Sequence, residues 1–245
     1  MSNTNLPCEI INAMLQHVGS LQNLTSALLT CCHVYTSFQE IPHVAVDILQ
    51  RQITPELLPY AVVVMEASRL GPRTALKIQT LLNMLNSELH TESQEAQELQ
   101  IRTLVSQLVT IPLPLLSQMS HTHDVIHIFV TAFSTGAWTH LSSRILPAQS
   151  GESVSLSPKE YIRFCRAFCR MELYFRLFPR SDSPDEETSG GTPFLRMFPA
   201  WENEKIGCVQ DFLELQFFKR CRHPLCPYSL LLYSLLIFRL IYSLA

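Results

Sequence analysis

Apolar residues recur at helical spacing along almost the entire 245-residue chain, and this periodicity constrains the fold more than any other feature. No long segment alternates apolar and polar residues with the period of two that is typical of strands. Only 7 residues are glycine, which argues against the many tight turns of a β sandwich or barrel. The sequence therefore predicts an all-α fold.

Composition and charge narrow the classes of function. A net charge of −3 and a pI near 6.3 indicate no excess of basic residues that could bind phosphate groups, so nucleic acid is not an expected partner. The segment from Met1 to Asn5 carries no positive charge and leads into no apolar run, so we expect no secretory signal. We expect a cytoplasmic or nuclear protein whose 8 cysteines are free thiols in a reducing compartment.

Three short helices are predicted before residue 40. Pro7 suits the first turn of a helix, and Glu9 interacts favourably with the helix dipole. Ser20 is the predicted N-cap of the second helix. The first helix is predicted to carry its apolar residues on one shared face; they are Ile10, Ile11, Met14, Leu15 and Val18. The apolar residues of the other two helices are Leu21, Leu24, Leu28 and Leu29, then Val34, Tyr35 and Phe38. Helices this short bury too little to be stable alone, so they need a partner or the rest of the chain.

The segment from Leu6 to Tyr35 resembles the F-box. That family begins with Leu-Pro-x-Glu-Ile, continues with spaced leucines and ends in a Cys-or-Ser, His-or-Arg, aromatic cluster, matched here by Cys32, His33 and Tyr35. Many members carry Trp where this chain has Tyr35. The resemblance implies a three-helix module that docks on a Skp-type adaptor of a cullin–RING ubiquitin ligase. By this resemblance, Leu6 and Pro7 would be the leading anchors at the interface. The residues that would be divided between the interface and the module's own packing are Ile10, Ile11, Leu15, Leu24 and Leu28.

The resemblance extends downstream to about residue 215. The segments 157–161, 166–168, 172–174 and 199–204 are similar to those of uncharacterised F-box-like proteins of filamentous fungi. This similarity implies a helical region of unknown ligand. The expected function is therefore non-enzymatic: the protein would be the substrate-recruiting adaptor of an SCF-type ligase, with an unknown target protein and no cofactor.

The predicted organisation has five parts. They are an F-box-like module at 5–40, a helical region at 41–179, a disordered acidic loop at 180–193, a helical segment at 194–218 and an apolar tail at 227–245. The clearest helix start is the segment Ser157-Pro158-Lys159-Glu160, because it has the spacing of a capping box with Pro in the first turn.

The apolar tail has three alternative interpretations. Residues 228–245 contain a single charge, Arg239, and basic residues precede them. Eighteen residues is near the lower limit for spanning a bilayer, so the tail is a membrane anchor, an apolar helix of the core, or an unnatural ending. The anchor interpretation carries the alternative function, a tail-anchored helical interaction protein with no ligase role. Membrane contact through the tail belongs to that alternative.

Two groups of residues have metal-ligand spacing. His123 and His127 would share one helix face, but the sequence has neither a carboxylate at the matched position between them nor a third ligand that can be placed. Cys221, His223 and Cys226 form half a zinc site at best. We therefore predict an ordinary helix around His123 and no metal site.

The remaining reactive residues are interpreted as structural. The segment Cys31-Cys32-His33 and the pair Cys165 and Cys169 are predicted to pack inside helices, since a buried free Cys behaves as a small hydrophobe. A basic stripe of three arginines is predicted to be a solvated face; it consists of Arg163, Arg166 and Arg170. The sequence has no phosphate-binding Gly loop and no GxSxG motif, so we predict no catalytic residue.

Overall fold

The computed structural model describes residues 6–89, 94–145, 156–178 and 191–220. Every regular element in these ranges is an α-helix, which confirms the predicted all-α class. The helices are α1 (Cys8–Gln16), α2 (Leu21–Leu28), α3 (Cys32–Glu40), α4 (His43–Gln52), α5 (Leu58–Arg69), α6 (Ala75–Leu89), α7 (Gln94–Leu108), α8 (Leu113–Ile145), α9 (Pro158–Leu177), α10 (Gly191–Arg196) and α11 (Ala200–Arg220).

Two predicted segments lie wholly or largely outside the described residues. They are the apolar tail at 227–245 and residues 180–190 of the acidic loop; the last three residues of that predicted loop belong to α10. None of the described helices is both long and apolar enough to cross a membrane.

α5 is the central helix of the core. It packs against α6, α8 and α9, and its side chains are buried on nearly every side. The run Val62-Val63-Val64-Met65 illustrates this, because four consecutive residues cannot share one face of a helix and yet all four are buried. A helix that is apolar all round is the expected occupant of such a central position.

Phenylalanine rings hold α8, α9 and α11 together. The Phe133 ring of α8 lies 5.2 Å from the Phe212 ring of α11 and 6.3 Å from the Phe168 ring of α9. Phe168 and Phe212 are 6.2 Å apart, and all three pairs meet edge to face. Edge-to-face pairs contribute about 0.5–1.5 kcal/mol each beyond their buried area. The cluster fixes the 33-residue α8 beside α9 and α11.

The predicted start of α9 is confirmed. The Ser157 hydroxyl accepts a hydrogen bond from the Glu160 backbone N–H, and the Glu160 carboxylate accepts one from the Ser157 backbone N–H at 2.9 Å. Pro158 occupies the first turn, where its missing N–H is harmless. The hydrogen bonds from Ser157 lower the pKa of the Glu160 carboxyl.

The two cysteines of α9 lie in the core, as predicted. Cys165 and Cys169 are both buried. Burial raises the pKa of Cys165 to about 11, although a hydrogen bond with Tyr161 acts in the opposite direction. Burial raises the pKa of Cys169 as well. Both thiols therefore stay protonated at neutral pH and contribute as apolar packing groups.

The prediction that the arginine stripe on the same helix is solvated holds only for Arg163. Arg163 is exposed and Arg166 is half-buried, but Arg170 is buried, with 1% of its surface accessible. The physical reason is the presence of Glu202 on α11 and Tyr60 on α5, which both accept hydrogen bonds from the Arg170 guanidinium.

Candidate adaptor-binding surface

α1 has two apolar faces, of which only one is used inside the chain. The helix begins after Pro7, which acts as its N-cap residue, and Glu9 lies in the first turn. Ile11 and Leu15, spaced four residues apart, point inward and are 4% and 3% exposed. This inner face packs against α3 and α4.

The other apolar face of α1 is open to solvent. Leu6, Ile10 and Met14 are 45%, 47% and 59% exposed, and Pro7 between them is exposed as well. Ile10 and Met14 are four residues apart in α1 and therefore lie on one side of the helix, while Leu6 and Pro7 immediately precede its first turn. We call these four residues the α1 surface. An apolar stripe that the chain's own core does not cover is a typical protein-binding feature.

Side chains from later helices hold both ends of α1. A ring nitrogen of His33, in α3, is hydrogen-bonded to the Leu6 carbonyl oxygen at 2.9 Å. The Arg51 guanidinium, on α4, donates to the Gln16 carbonyl at 2.9 Å, where the helix ends with unpaired carbonyl groups. The α1 surface is therefore fixed relative to α3 and α4.

α2 contributes to the interior rather than to an open surface. Ser20 caps the helix as predicted, since its hydroxyl accepts a hydrogen bond from the Asn23 N–H at 3.1 Å. Leu24 and Leu28 are 0% and 7% exposed. α2 packs against α3, α4 and α8, so these leucines are covered by the chain itself.

The seven residues that the F-box resemblance assigns thus fall into two groups in this structure. Leu6, Pro7 and Ile10 are accessible to a partner. Ile11, Leu15, Leu24 and Leu28 are core residues and would reach a partner only after a rearrangement.

Met14 and Tyr35 are two further exposed apolar residues of the N-terminal helices. Met14 is absent from the set that the resemblance assigns, although its spacing of four from Ile10 places it on the same side of α1. Tyr35, at the position where many F-boxes carry Trp, is 50% exposed on α3. The signal that could have identified Met14 is its helical spacing from Ile10 within α1.

A polar seam joins α2 to α8. The Thr25 and Ser117 hydroxyls are 3.2 Å apart, and the Gln22 amide donates to the Asp124 carboxylate at 3.3 Å. Beside them, the buried Ser120 hydroxyl donates to the side-chain carbonyl of Gln52 at 2.9 Å. The N-terminal helices are therefore attached to the body by specific hydrogen bonds as well as by apolar contacts.

His123 and His127 on α8 are surrounded by side chains of the protein's own packing. A ring nitrogen of His127 is hydrogen-bonded to the Tyr161 hydroxyl at 3.0 Å. Burial lowers the pKa of His123, with nearby Asp124 opposing that shift. Within the described residues, no three His, Cys, Asp or Glu side chains are grouped so that they could hold a metal ion. The half-site at Cys221, His223 and Cys226 lies outside the described residues.

The prediction that the segment Cys31-Cys32-His33 packs inside helices is wrong for its two thiols. Cys31 and Cys32 are both exposed, and neither forms a disulfide. The reason is that α3 begins here, so both residues lie at the end of a helix that presents its interior side through Val34 and Phe38.

No protein-family model, curated protein or solved structure matches this chain. The resemblance to the F-box consequently rests on the motif residues themselves and remains a prediction. The structure adds the position and exposure of those residues, and these carry the proposal that follows.

Proposed function

We propose that this protein is the substrate-recruiting adaptor of a cullin–RING, SCF-type ubiquitin ligase. It would bind a Skp-type adaptor through the α1 surface, with Leu6, Pro7 and Ile10 as anchors. One observation carries the proposal: the motif residues that lead the F-box resemblance are also the apolar side chains that α1 leaves uncovered.

The exposure of these anchors gives the interaction its driving force. Burying an exposed Leu or Ile side chain is worth on the order of 1.5–3 kcal/mol when complete, so half-exposed residues retain roughly half of that for a partner. Two or three such anchors in a rigid helix are enough to dominate the affinity of a small interface. The hydrogen bonds from His33 and Arg51 support the proposal, because a fixed surface loses little entropy on binding.

In this role the chain supplies binding and no catalytic group, and the other ligase subunits carry out ubiquitin transfer. The helices from α5 to α11 would present a target protein to that machinery. Their packing around α5 and the phenylalanine cluster gives them a shared core, which suits a positioning function.

Co-purification tests the proposal. The double change Leu6→Ala/Pro7→Ala should reduce recovery of a Skp-type adaptor with the tagged protein at least tenfold, because each anchor contributes about 1–2 kcal/mol. Both residues are exposed, so the melting temperature should hardly change.

Leu76→Ala is the matched control, since this leucine is 78% exposed on α6, away from the α1 surface. Recovery of the adaptor should be unchanged in that variant. Equal recovery with the native protein and the double variant, or no recovery with a folded native protein, would exclude the α1 surface as an adaptor site.

The alternative function, a tail-anchored interaction protein, is favoured by one sequence observation. Residues 228–245 form an apolar run with Arg239 as their single charge, and they lie outside the described residues. Deleting 227–245 separates the two functions: an anchored protein would move from the membrane to the soluble fraction, while adaptor binding through α1 would be retained.

A further inference from the structure

Met14 is the most exposed methionine among the residues that the structure describes. Its accessible fraction is 59%, compared with 36% for Met84 on α6. The other described methionines are buried or half-buried; they are Met65, Met119, Met171 and Met197. A dissolved oxidant therefore reaches the thioether of Met14 more readily than that of any other described methionine, because oxidation of sulfur side chains follows their exposure.

The position of Met14 gives this oxidation a consequence for binding. Met14 lies one helical turn after Ile10 on the same side of α1, within the α1 surface. Its backbone is held by the end of the helix: the Met14 carbonyl accepts a hydrogen bond from the His17 N–H at 3.1 Å, and the Arg51 guanidinium donates to the nearby Gln16 carbonyl at 2.9 Å. A chemical change at the sulfur atom therefore alters the polarity of the α1 surface while these backbone contacts hold the helix end.

We propose that Met14 is a redox-sensitive modification site at which hydrogen peroxide weakens binding through the α1 surface. The proposal rests on the adaptor function proposed above. In the reaction, the Met14 sulfur attacks one peroxide oxygen, an S–O bond forms and the O–O bond breaks. The second oxygen leaves with both protons as water, so the sulfur is oxidised by two electrons and the peroxide is reduced. The product is methionine sulfoxide, which replaces a flexible apolar side chain with a polar one.

Hydrogen peroxide added to the full-length protein tests this site. Peptide mapping should find the sulfoxide on Met14 before it appears on Met84. The affinity for a purified Skp-type adaptor should then fall about tenfold, because a partner that covers the α1 surface would bury a polar group without a hydrogen bond. Dithiothreitol added after the peroxide reverses disulfides and sulfenic acids at exposed cysteines and leaves the sulfoxide in place. The exposed cysteines are Cys31, Cys32 and Cys208.

Matched variants and enzymatic reversal make the test specific. Met14→Leu is compared with itself, and its affinity should be the same before and after peroxide treatment. Met84→Leu should lose affinity on oxidation as the native protein does. Methionine sulfoxide reductase should restore the affinity of the oxidised native protein. In the native protein, bound adaptor should also slow the oxidation of Met14 and leave the rate at Met84 unchanged, and this measurement requires no variant to fold.

The outcomes separate this proposal from the adaptor function. If the adaptor binds the reduced protein and binds it equally well when Met14 is mapped as sulfoxide, the redox proposal fails and the adaptor function stands. A loss of affinity that persists in oxidised Met14→Leu also overturns the redox proposal, because another residue is then responsible. If the reduced and folded native protein binds no adaptor, the adaptor function fails, and the regulation of Met14 fails with it.

Discussion

Arg170, on α9, joins the later helices through its buried guanidinium group. Its guanidinium donates to the Glu202 carboxylate on α11 and to the Tyr60 hydroxyl on α5, the latter at 3.0 Å. It also lies 4.7 Å from the centroid of the Phe198 ring, within the range of a cation–π contact. One buried cation therefore connects three elements of the chain, and removing a partner would leave that charge incompletely compensated.

Replacing the main partner of this cation should destabilise the fold. We expect Glu202→Gln to lower the free energy of unfolding at pH 7 by about 2 kcal/mol, since charged hydrogen bonds contribute about 1.5–3 kcal/mol and Glu202 is partly exposed. Chemical denaturation followed by circular dichroism measures the change. Glu204→Gln, at an exposed position of the same helix, is the control and should change stability by less than about 0.5 kcal/mol.

Wild type and Glu202→Gln should also differ in how their stability responds to acid. Burial opposes ionisation of Glu202, but hydrogen bonds and charge from Lys205 and Arg170 outweigh it, so its pKa is lowered. The unfolded chain then binds a proton at higher pH than the native protein does, and the stabilisation is lost as pH falls through the lowered pKa. The gap between wild type and Glu202→Gln should be full at pH 7 and narrow in acid below about pH 4. A gap independent of pH would contradict this assignment.

Arg170 also shows what could not be predicted from sequence at this scale. Arg163, Arg166 and Arg170 have the spacing of a solvated stripe, and that interpretation holds for Arg163 alone. The carboxylate that allows Arg170 to be buried lies 32 residues away, and the tyrosine hydroxyl 110 residues away. Partners at such separations follow from the tertiary arrangement and leave no local pattern.

At the scale of an element, α9 illustrates the opposite case. Its start is determined by four consecutive residues, because the capping box is built from hydrogen bonds between Ser157 and Glu160. Such contacts depend only on local backbone geometry, so the sequence predicts them directly. The helix that begins there carries Arg170 and the buried thiols, and its first turn therefore anchors a large part of the core.

Removing the N-cap side chain of α9 should measurably lower the stability of the whole protein. Ser157→Ala should lower the free energy of unfolding by about 1 kcal/mol, the usual cost of losing an N-cap side chain, and Ser157→Asp should largely restore it. Denaturant unfolding measures both variants. Ser106→Ala provides the comparison: its exposed hydroxyl bonds to the Thr103 carbonyl within α7, where alanine is at least as favourable. Equal losses at both positions would argue against a specific capping contribution.

α1 lies between these two cases. Helical spacing correctly predicts that Ile10, Ile11, Met14 and Leu15 belong to one helix, but the prediction that they share one face is wrong. The spacing does not say which of these residues are buried, because the apolar part of the helix is wide enough to contact two different neighbours. Only the positions of α3 and α4 decide that Ile11 and Leu15 are buried while Ile10 and Met14 are open.

At the scale of the molecule, the N-terminal helices are part of a continuous core. Leu21 and Leu24 of α2 are completely buried, and α2 packs against α4 and α8. The seam from Thr25 to Ser117 and from Gln22 to Asp124 adds directional hydrogen bonds to that contact. The expectation that three short helices need a partner or the rest of the chain is therefore met, in this structure, by the rest of the chain. The α1 surface is presented by the whole protein.

A fragment of residues 1–42 should consequently be largely unfolded in isolation. α1, α2 and α3 are 9, 8 and 9 residues long, and helices shorter than about 12–15 residues are marginal in water without tertiary contacts. In the fragment, Leu21 and Leu24 would lose the covering provided by α4 and α8. Far-ultraviolet circular dichroism should show low helicity and no cooperative thermal transition, while the full chain shows both high helicity and a cooperative transition. A fragment that melts cooperatively from a helical state would mean that the N-terminal helices form an autonomous module, and the α1 surface would then be independent of the body.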